Sequence, residues 1–333
     1  MPPMNPNTPF AMLPAKGQLT ICFAHGAYRM AERFAVRDTG IAHIEVRTAD
    51  ELARHLPEAD VLVVSGLWKN ELAGSAGNLR FIQSISAGTD QYDKALLRER
   101  GIRLASAAGV NAEAVAEHAM ALMLALCRRL PEARDNQNAK RWRGMISEIA
   151  AREDQLTGKI LLIVGMGRIG GRLARLAKAF DMRVIATKRD TATGTTGADA
   201  VYGNDLLHEL LREADVVALT CPLTPETEHL IDAAALAAMK PTAHLINVAR
   251  GRVVNEAALI EALQQRRIAA AGLDVTREEP LPASSPLWTM PNVLITPHTA
   301  GETQCYEDAV IDILLENLLR LWRGETELRN QVV

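Results

Sequence analysis

Three ionisable residues each stand just after a short apolar run: Arg250 in the stretch 247–251, Glu279 in 273–282 and His298 in 296–301. A guanidinium can hold a carboxylate in fixed orientation through paired N–H donors. An imidazole with an ordinary pKa of about 6.5 can give or take a proton near neutrality. A carboxylate beside such a ring favours its protonated form. Taken singly, each residue type is most often a solvated surface group. All three follow apparent strands, and open α/β sheets bind ligands beyond the carboxyl ends of their strands.

A second constellation lies upstream. An apolar strand pattern at 159–164 runs into Gly165-Met166-Gly167-Arg168-Ile169-Gly170, followed by a helical pattern at 171–180. A lone GxGxxG is weak, but its position between a strand and a helix is what dinucleotide binding requires. Gly165 permits the tight turn, Gly167 lets a pyrophosphate approach the backbone, and Gly170 lets helix and strand pack closely. Amides at the helix start then hold the phosphate. The next strand pattern, 184–187, ends in Thr187-Lys188-Arg189, where NAD-specific folds place an acid. Two cations and a hydroxyl suit the 2′-phosphate of NADP, so NADP is preferred and NAD remains possible. Asp190 lies beyond the strand, and a solvated basic turn is the plainer alternative.

These sites need elements to hold them. Strand patterns at 19–24, 44–46, 61–64, 81–85 and 102–104 form a first series, with helical stretches such as 91–100 between them. A long helix is predicted over 112–130, with Pro131 ending or bending it, and the polar stretch 132–155 reads as a connecting arm. A second series follows at 159–164, 184–187, 216–219, 243–247, 269–274 and 293–295, rich in Val, Ile and Leu on both faces. Residues 306–322 carry apolar side chains at three- and four-residue spacing and form an amphipathic helix. The expected fold class is α/β, with two doubly wound parallel-sheet domains. A Rossmann nucleotide domain (112–301) is inserted in a flavodoxin-like substrate domain (1–111), to which the C-terminal helix (302–333) returns.

Composition narrows the function. A chain of 333 residues exceeds what one core usually supports. The net charge of -3 gives no basic field for nucleic acid or an anionic membrane. No apolar run approaches the roughly 18 residues of a membrane span. The four cysteines, Cys22, Cys127, Cys221 and Cys305, are scattered and read as reduced thiols in the cytoplasm. Residues 1–17 read as a flexible arm rather than a secretory signal. No HExxH or close His/Cys cluster points to a metal.

Over residues 105–301 the chain resembles the D-isomer-specific 2-hydroxyacid dehydrogenases, the group that includes glyoxylate/hydroxypyruvate reductases. The resemblance rests on GVNAEAVAEH at 109–118, the glycine loop, PLTPET at 222–227 and the three stretches bearing Arg250, Glu279 and His298; SAGTD at 86–90 extends it into the first series. It implies a small 2-keto acid substrate whose carboxylate Arg250 binds. It further implies His298 as general acid and Glu279 as the residue that orients it. Cofactor contacts would come from Arg168, Ile169, Cys221, Pro222, Thr227, Val248, Ala249, Arg250, Asp274 and His298, and the amides of Ala87 and Gly88 would face the substrate. A homodimer is implied, with Trp142 in the arm matching a tryptophan that reaches a partner's site in some relatives. Leu67 and Trp68 are expected to shape the substrate pocket, and His118 reads as a packing histidine. Formate dehydrogenases of this superfamily carry Gln where Glu279 stands. Phosphoglycerate-type oxidation and a dinucleotide-sensing corepressor remain as alternative functions.

Overall fold

The computed structural model describes residues 12–191 and 197–333. The chain divides into two compact units, residues 1–111 with 303–333, and residues 112–302.

The first unit holds five parallel strands, β1 (Thr20–Ala24), β2 (Ala42–Val46), β3 (Val61–Val64), β4 (Phe81–Ser84) and β5 (Arg103–Ala105), in the order β2-β1-β3-β4-β5. This is the flavodoxin-like order. Alternation decides which side chain goes where: Ile21, Phe23, Val61, Val63 and Phe81 enter one core, while Cys22, Ala24, Leu62, Val64 and Ile82 enter the other. Helices α1 (Met30–Ala35) and α10 (Tyr306–Trp322) cover the first face with Met30, Phe34, Val310, Ile311, Leu314 and Leu318. Helices α2 (Ala49–His55) and α3 (Lys94–Glu99) add Leu52 and Leu97 to the second. With both faces covered, the strands read as continuous apolar runs.

The predicted arm needs correction at its C-terminal part. Leu13 is buried in the first core, and the Pro14 carbonyl accepts the Trp322 indole N–H at 2.9 Å. An apolar anchor and a satisfied carbonyl tie this segment down. Residues 1–11 of that arm lie outside the described residues.

The second unit is a parallel sheet of β6 (Ile160–Val164), β7 (Arg183–Thr187), β8 (Ala200–Tyr202), β9 (Val216–Leu219), β10 (His244–Asn247), β11 (Ala270–Leu273) and β12 (Val293–Ile295). Its order is β12-β11-β10-β9-β6-β7-β8, so the winding reverses between β6 and β9. Such a switch point opens the crevice in which doubly wound folds bind dinucleotides. Helices α4 (Ala112–Cys127) and α6 (Arg168–Ala179) pack on the face formed by Leu161, Ile163 and Val184. Helices α7 (Leu207–Glu213), α8 (Ala233–Ala238) and α9 (Glu256–Gln264) pack on the face formed by Leu162, Val164 and Val217.

Two expectations along this unit change. The helix predicted over 112–130 stops at Cys127, and a separate helix, α5 (Leu130–Asn138), occupies the start of the predicted arm. Arg129 takes the left-handed conformation (φ 51°) between them, and Pro131 sits in the first turn of α5. Proline there costs no hydrogen bond, so it opens a helix as well as closing the previous one. The helix after the glycine turn begins at Arg168, three residues earlier than expected. Among the described residues, no helix is long and apolar enough to cross a membrane.

Candidate active site

The nucleotide cradle is set by what cannot fit. At Gly165 (φ 102°), a Cβ would come within 2.6 Å of the Cys221 backbone, and at Gly170 one would come within 2.7 Å of the Gly165 carbonyl. Gly165 and Met166 both donate their amides to the Thr187 carbonyl at 3.1 Å, and Thr220 Oγ1 donates to the Gly165 carbonyl at 2.7 Å. At Gly167, by contrast, a Cβ would meet nothing within 4 Å. Gly167 is the N-cap of α6 and offers no side chain to cap it. Helix α6 begins directly after this open position, and a helix start presents amides that lack intrahelical acceptors. That arrangement fits the pyrophosphate of a dinucleotide.

Around the cradle, the residues singled out from sequence divide by role. Thr187 is 0% exposed, so its hydroxyl is buried and its carbonyl alone serves the glycine loop. Lys188 is half-buried and Arg189 exposed just beyond β7. The Glu226 carboxyl is held below its usual range, chiefly by a Thr224 hydrogen bond and also by the Arg189 charge facing it. Cys221 is buried, and burial pushes its thiol up to about 11. Thr227 Oγ1 donates to the Pro222 carbonyl at 2.6 Å and accepts the Thr224 amide at 2.8 Å, closing the loop after β9.

Arg250, Glu279 and His298 lie in the loops following β10, β11 and β12, three neighbouring strands. Asn247, buried at the end of β10, braces the first loop: its side chain accepts the Ala249 amide at 3.0 Å and donates to the Arg250 carbonyl at 3.1 Å. Val248 and Ala249 are buried beside it. The first and second loops meet at Gly251, where a Cβ would lie 2.0 Å from the Thr276 backbone. Thr276 then donates its amide to Glu279 Oε1 at 3.1 Å.

Glu279 Oε2 lies 2.7 Å from His298 Nδ1. That hydrogen bond holds the His298 pKa above its usual value, against burial; the Glu279 and Asp274 charges assist and Arg250 opposes. Burial pushes the Glu279 carboxyl up, but the His298 hydrogen bond and charge, the Thr276 amide and Arg250 together hold it below its usual value. The imidazolium–carboxylate state is therefore favoured on both sides. His298 itself has φ 57°, a strained choice for a residue with a side chain. Its amide donates to the Asp274 carbonyl at 2.8 Å, and the Asp274 carboxylate takes the Thr299 and Ala300 amides at 3.0 and 3.1 Å.

In the first unit, Ala87 and Gly88 are half-buried in the loop after β4. Trp68 differs from expectation. It is 4% exposed, donates Nε1 to Asn70 Oδ1 at 3.0 Å and packs at a centroid distance of 6.0 Å from Tyr92. Trp68 is a core residue; Leu67 packs partly buried against the same cluster. Asn247 and Thr276 bond backbone groups and Thr296 bridges the side chains of His118 and Asp274, roles that no motif in the sequence marks.

The family model described as D-isomer specific 2-hydroxyacid dehydrogenase, NAD binding domain, matches residues 120–300. The chain is 36% identical over 295 residues to the D-3-phosphoglycerate dehydrogenase of Methanocaldococcus jannaschii, covering 86% of this chain and 54% of that protein. It thus spans about half the length of that relative. It is 39% identical over 277 residues to glyoxylate/hydroxypyruvate reductase B of Serratia proteamaculans, covering 83% and 85% of the two chains. Among solved structures, the TT0316 protein of Thermus thermophilus superposes with a TM-score of 0.82 at 36% identity, covering 95% of this chain and 100% of that one. The chain therefore belongs to the D-isomer-specific 2-hydroxyacid dehydrogenase family, and residues 120–300 match that family's NAD-binding domain.

Proposed function

We propose that the protein reduces a small 2-keto acid, of the glyoxylate or hydroxypyruvate kind, to the D-2-hydroxy acid. The observation that carries this reading is the Glu279–His298 pair, with an imidazole pKa raised by its carboxylate neighbour. Bound NAD(P)H supplies the hydride. Arg250 binds the substrate carboxylate. His298 Nε2 delivers a proton to the carbonyl oxygen, and Glu279 steadies the ring while it is charged. The glycine loop, Cys221, Pro222, Thr227, Val248, Ala249 and Asp274 line the cofactor, and Lys188 and Arg189 favour a 2′-phosphate. The similarity to a glyoxylate/hydroxypyruvate reductase supports this substrate class.

A second reading, oxidation of 3-phosphoglycerate, is favoured by the similarity to the Methanocaldococcus enzyme. One assay separates the two: glyoxylate, hydroxypyruvate and pyruvate with NADPH and NADH, against 3-phosphoglycerate with NAD and NADP. Turnover of a keto acid without turnover of 3-phosphoglycerate supports the first reading, and the reverse result replaces it.

The protein is also read as a homodimer. Trp142 (98% exposed), Met145 and Ile149 project from the segment after α5, an apolar surface that association would cover. Its four free cysteines, three of them buried, support a cytoplasmic setting.

A further inference from the structure

The turn bearing His298 is braced by a hydrogen-bond chain that begins on a distant element. His118, on α4, has Nε2 at 2.8 Å from Thr296 Oγ1, and that oxygen lies 2.6 Å from Asp274 Oδ1. His118 and Thr296 are 178 residues apart in sequence. Asp274 is 2% exposed, and its carboxylate also receives the Thr299 and Ala300 amides. Thr296 Oγ1 donates its one hydrogen to Asp274 Oδ1, so its oxygen accepts from His118. The network thereby assigns the His118 hydrogen to Nε2. In such a chain each bond polarises the next, and removing one member leaves a buried group short of a partner. The conformation being held is the left-handed one at His298, which persists only where its surroundings over-determine it.

We propose that His118 is a positioning residue for the hydride-transfer reaction: acting through Thr296 and Asp274, it fixes the turn that aims the His298 imidazole at the substrate. The proposal rests on the reading of His298 as general acid. His118 donates no proton to substrate in this scheme. Its contribution is to the geometry of the residue that does, and geometric errors of about 1 Å can cost a hundredfold in rate.

The test uses the full-length protein with NADPH and the keto acid it turns over best. His118→Phe fills the space without a donor, whereas His118→Gln keeps an N–H the same number of bonds from Cα. His118→Phe should lose roughly tenfold to a hundredfold in kcat, with the KM for keto acid and the Kd for NADPH nearly unchanged. His118→Gln should recover most of that loss, which a packing role would not produce. In a Thr296→Val background, His118→Phe should add little, because the chain is already broken. A folded His118→Phe with parental kcat, or losses that simply add, overturns the proposal. Should His118→Phe fail to fold, Thr296→Val alone decides: it must show the same kcat-specific loss, and a parental kcat there overturns the proposal. His298→Ala, assayed in parallel, separates the two levels. Parental turnover in that variant removes the general-acid reading, while an inactive His298→Ala beside a parental His118→Phe removes only the positioning role.

Discussion

Glu279 approaches His298 through Nδ1, at 2.7 Å, which leaves Nε2 as the nitrogen for the proposed proton exchange with substrate. The carboxylate thus sets both the usable nitrogen and the affinity of the ring for its proton. The raised pKa of His298 means that the protonated ring persists above its usual value of about 6.5. The proposed reduction consumes that proton. Its kcat/KM should therefore be full at low pH and fall as pH rises through the raised value, while the reverse oxidation gains over the same window. Glu279→Gln should move the fall to lower pH and keep part of the activity. An unchanged pH–rate profile in Glu279→Gln would show that the pair does not control the reaction.

The roles within the triad should separate kinetically. His298→Ala is expected to lose about 10²–10⁴-fold in kcat, the usual share of general acid catalysis. Arg250→Ala should raise KM and lower kcat together, since charge-assisted hydrogen bonds contribute roughly 1.5–3 kcal/mol each. Steady-state kinetics on the two variants check this, and an Arg250→Ala enzyme with a parental KM contradicts carboxylate binding there.

Cofactor choice is expected to favour NADPH over NADH by at least about tenfold in kcat/KM, the equivalent of about 1.4 kcal/mol. Exposure of Arg189 and the facing Glu226 carboxylate keep the figure modest. Replacing both cations, as Lys188→Asp with Arg189→Ala, should cut NADPH use far more than NADH use. Equal efficiencies in the parent would reduce Lys188 and Arg189 to a solvated turn.

Gly251→Ala should be damaging although it adds only a methyl group. The new Cβ would sit 2.0 Å from the Thr276 backbone, and Thr276 holds Glu279. Overpacking of this kind costs about 1–3 kcal/mol. Thermal unfolding and kcat should both fall, and parental values for both would show that the loops can separate freely.

The chain should self-associate in solution. Light scattering is the direct measurement. A monomer throughout the working concentration range contradicts the reading of Trp142, Met145 and Ile149 as an interface.

The sequence made the strands legible because runs such as 61–64 and 216–219 are apolar at every position, and the observed strands there have those same bounds. It concealed β8, which is three half-buried residues long. It also concealed α5, a polar helix whose only buried residue is Asn136. Arg250, Glu279 and His298 are readable as candidates because each carries its chemistry in its own side chain, and the structure places them after three neighbouring strands with Glu279 and His298 paired. Thr187 misled, because strand alternation buries a hydroxyl that the sequence places at a strand end. His118 was opaque for a different reason: its partner is far along the chain, and only the fold brings α4 beneath the β12 loop.

The sheet order has a further consequence for how this protein could change. The glycine loop follows β6 and the two cations follow β7, whereas Arg250, Glu279 and His298 follow β10, β11 and β12 on the other side of β9. From β7 to β11 is four strand intervals, or about 19 Å at the usual spacing. Substitutions beyond roughly 7–10 Å with no shared partners act independently. In the proposed scheme, redox-carrier preference and keto-acid chemistry therefore rest on separate loops, and exchanging Lys188 and Arg189 should leave the chemistry at His298 intact.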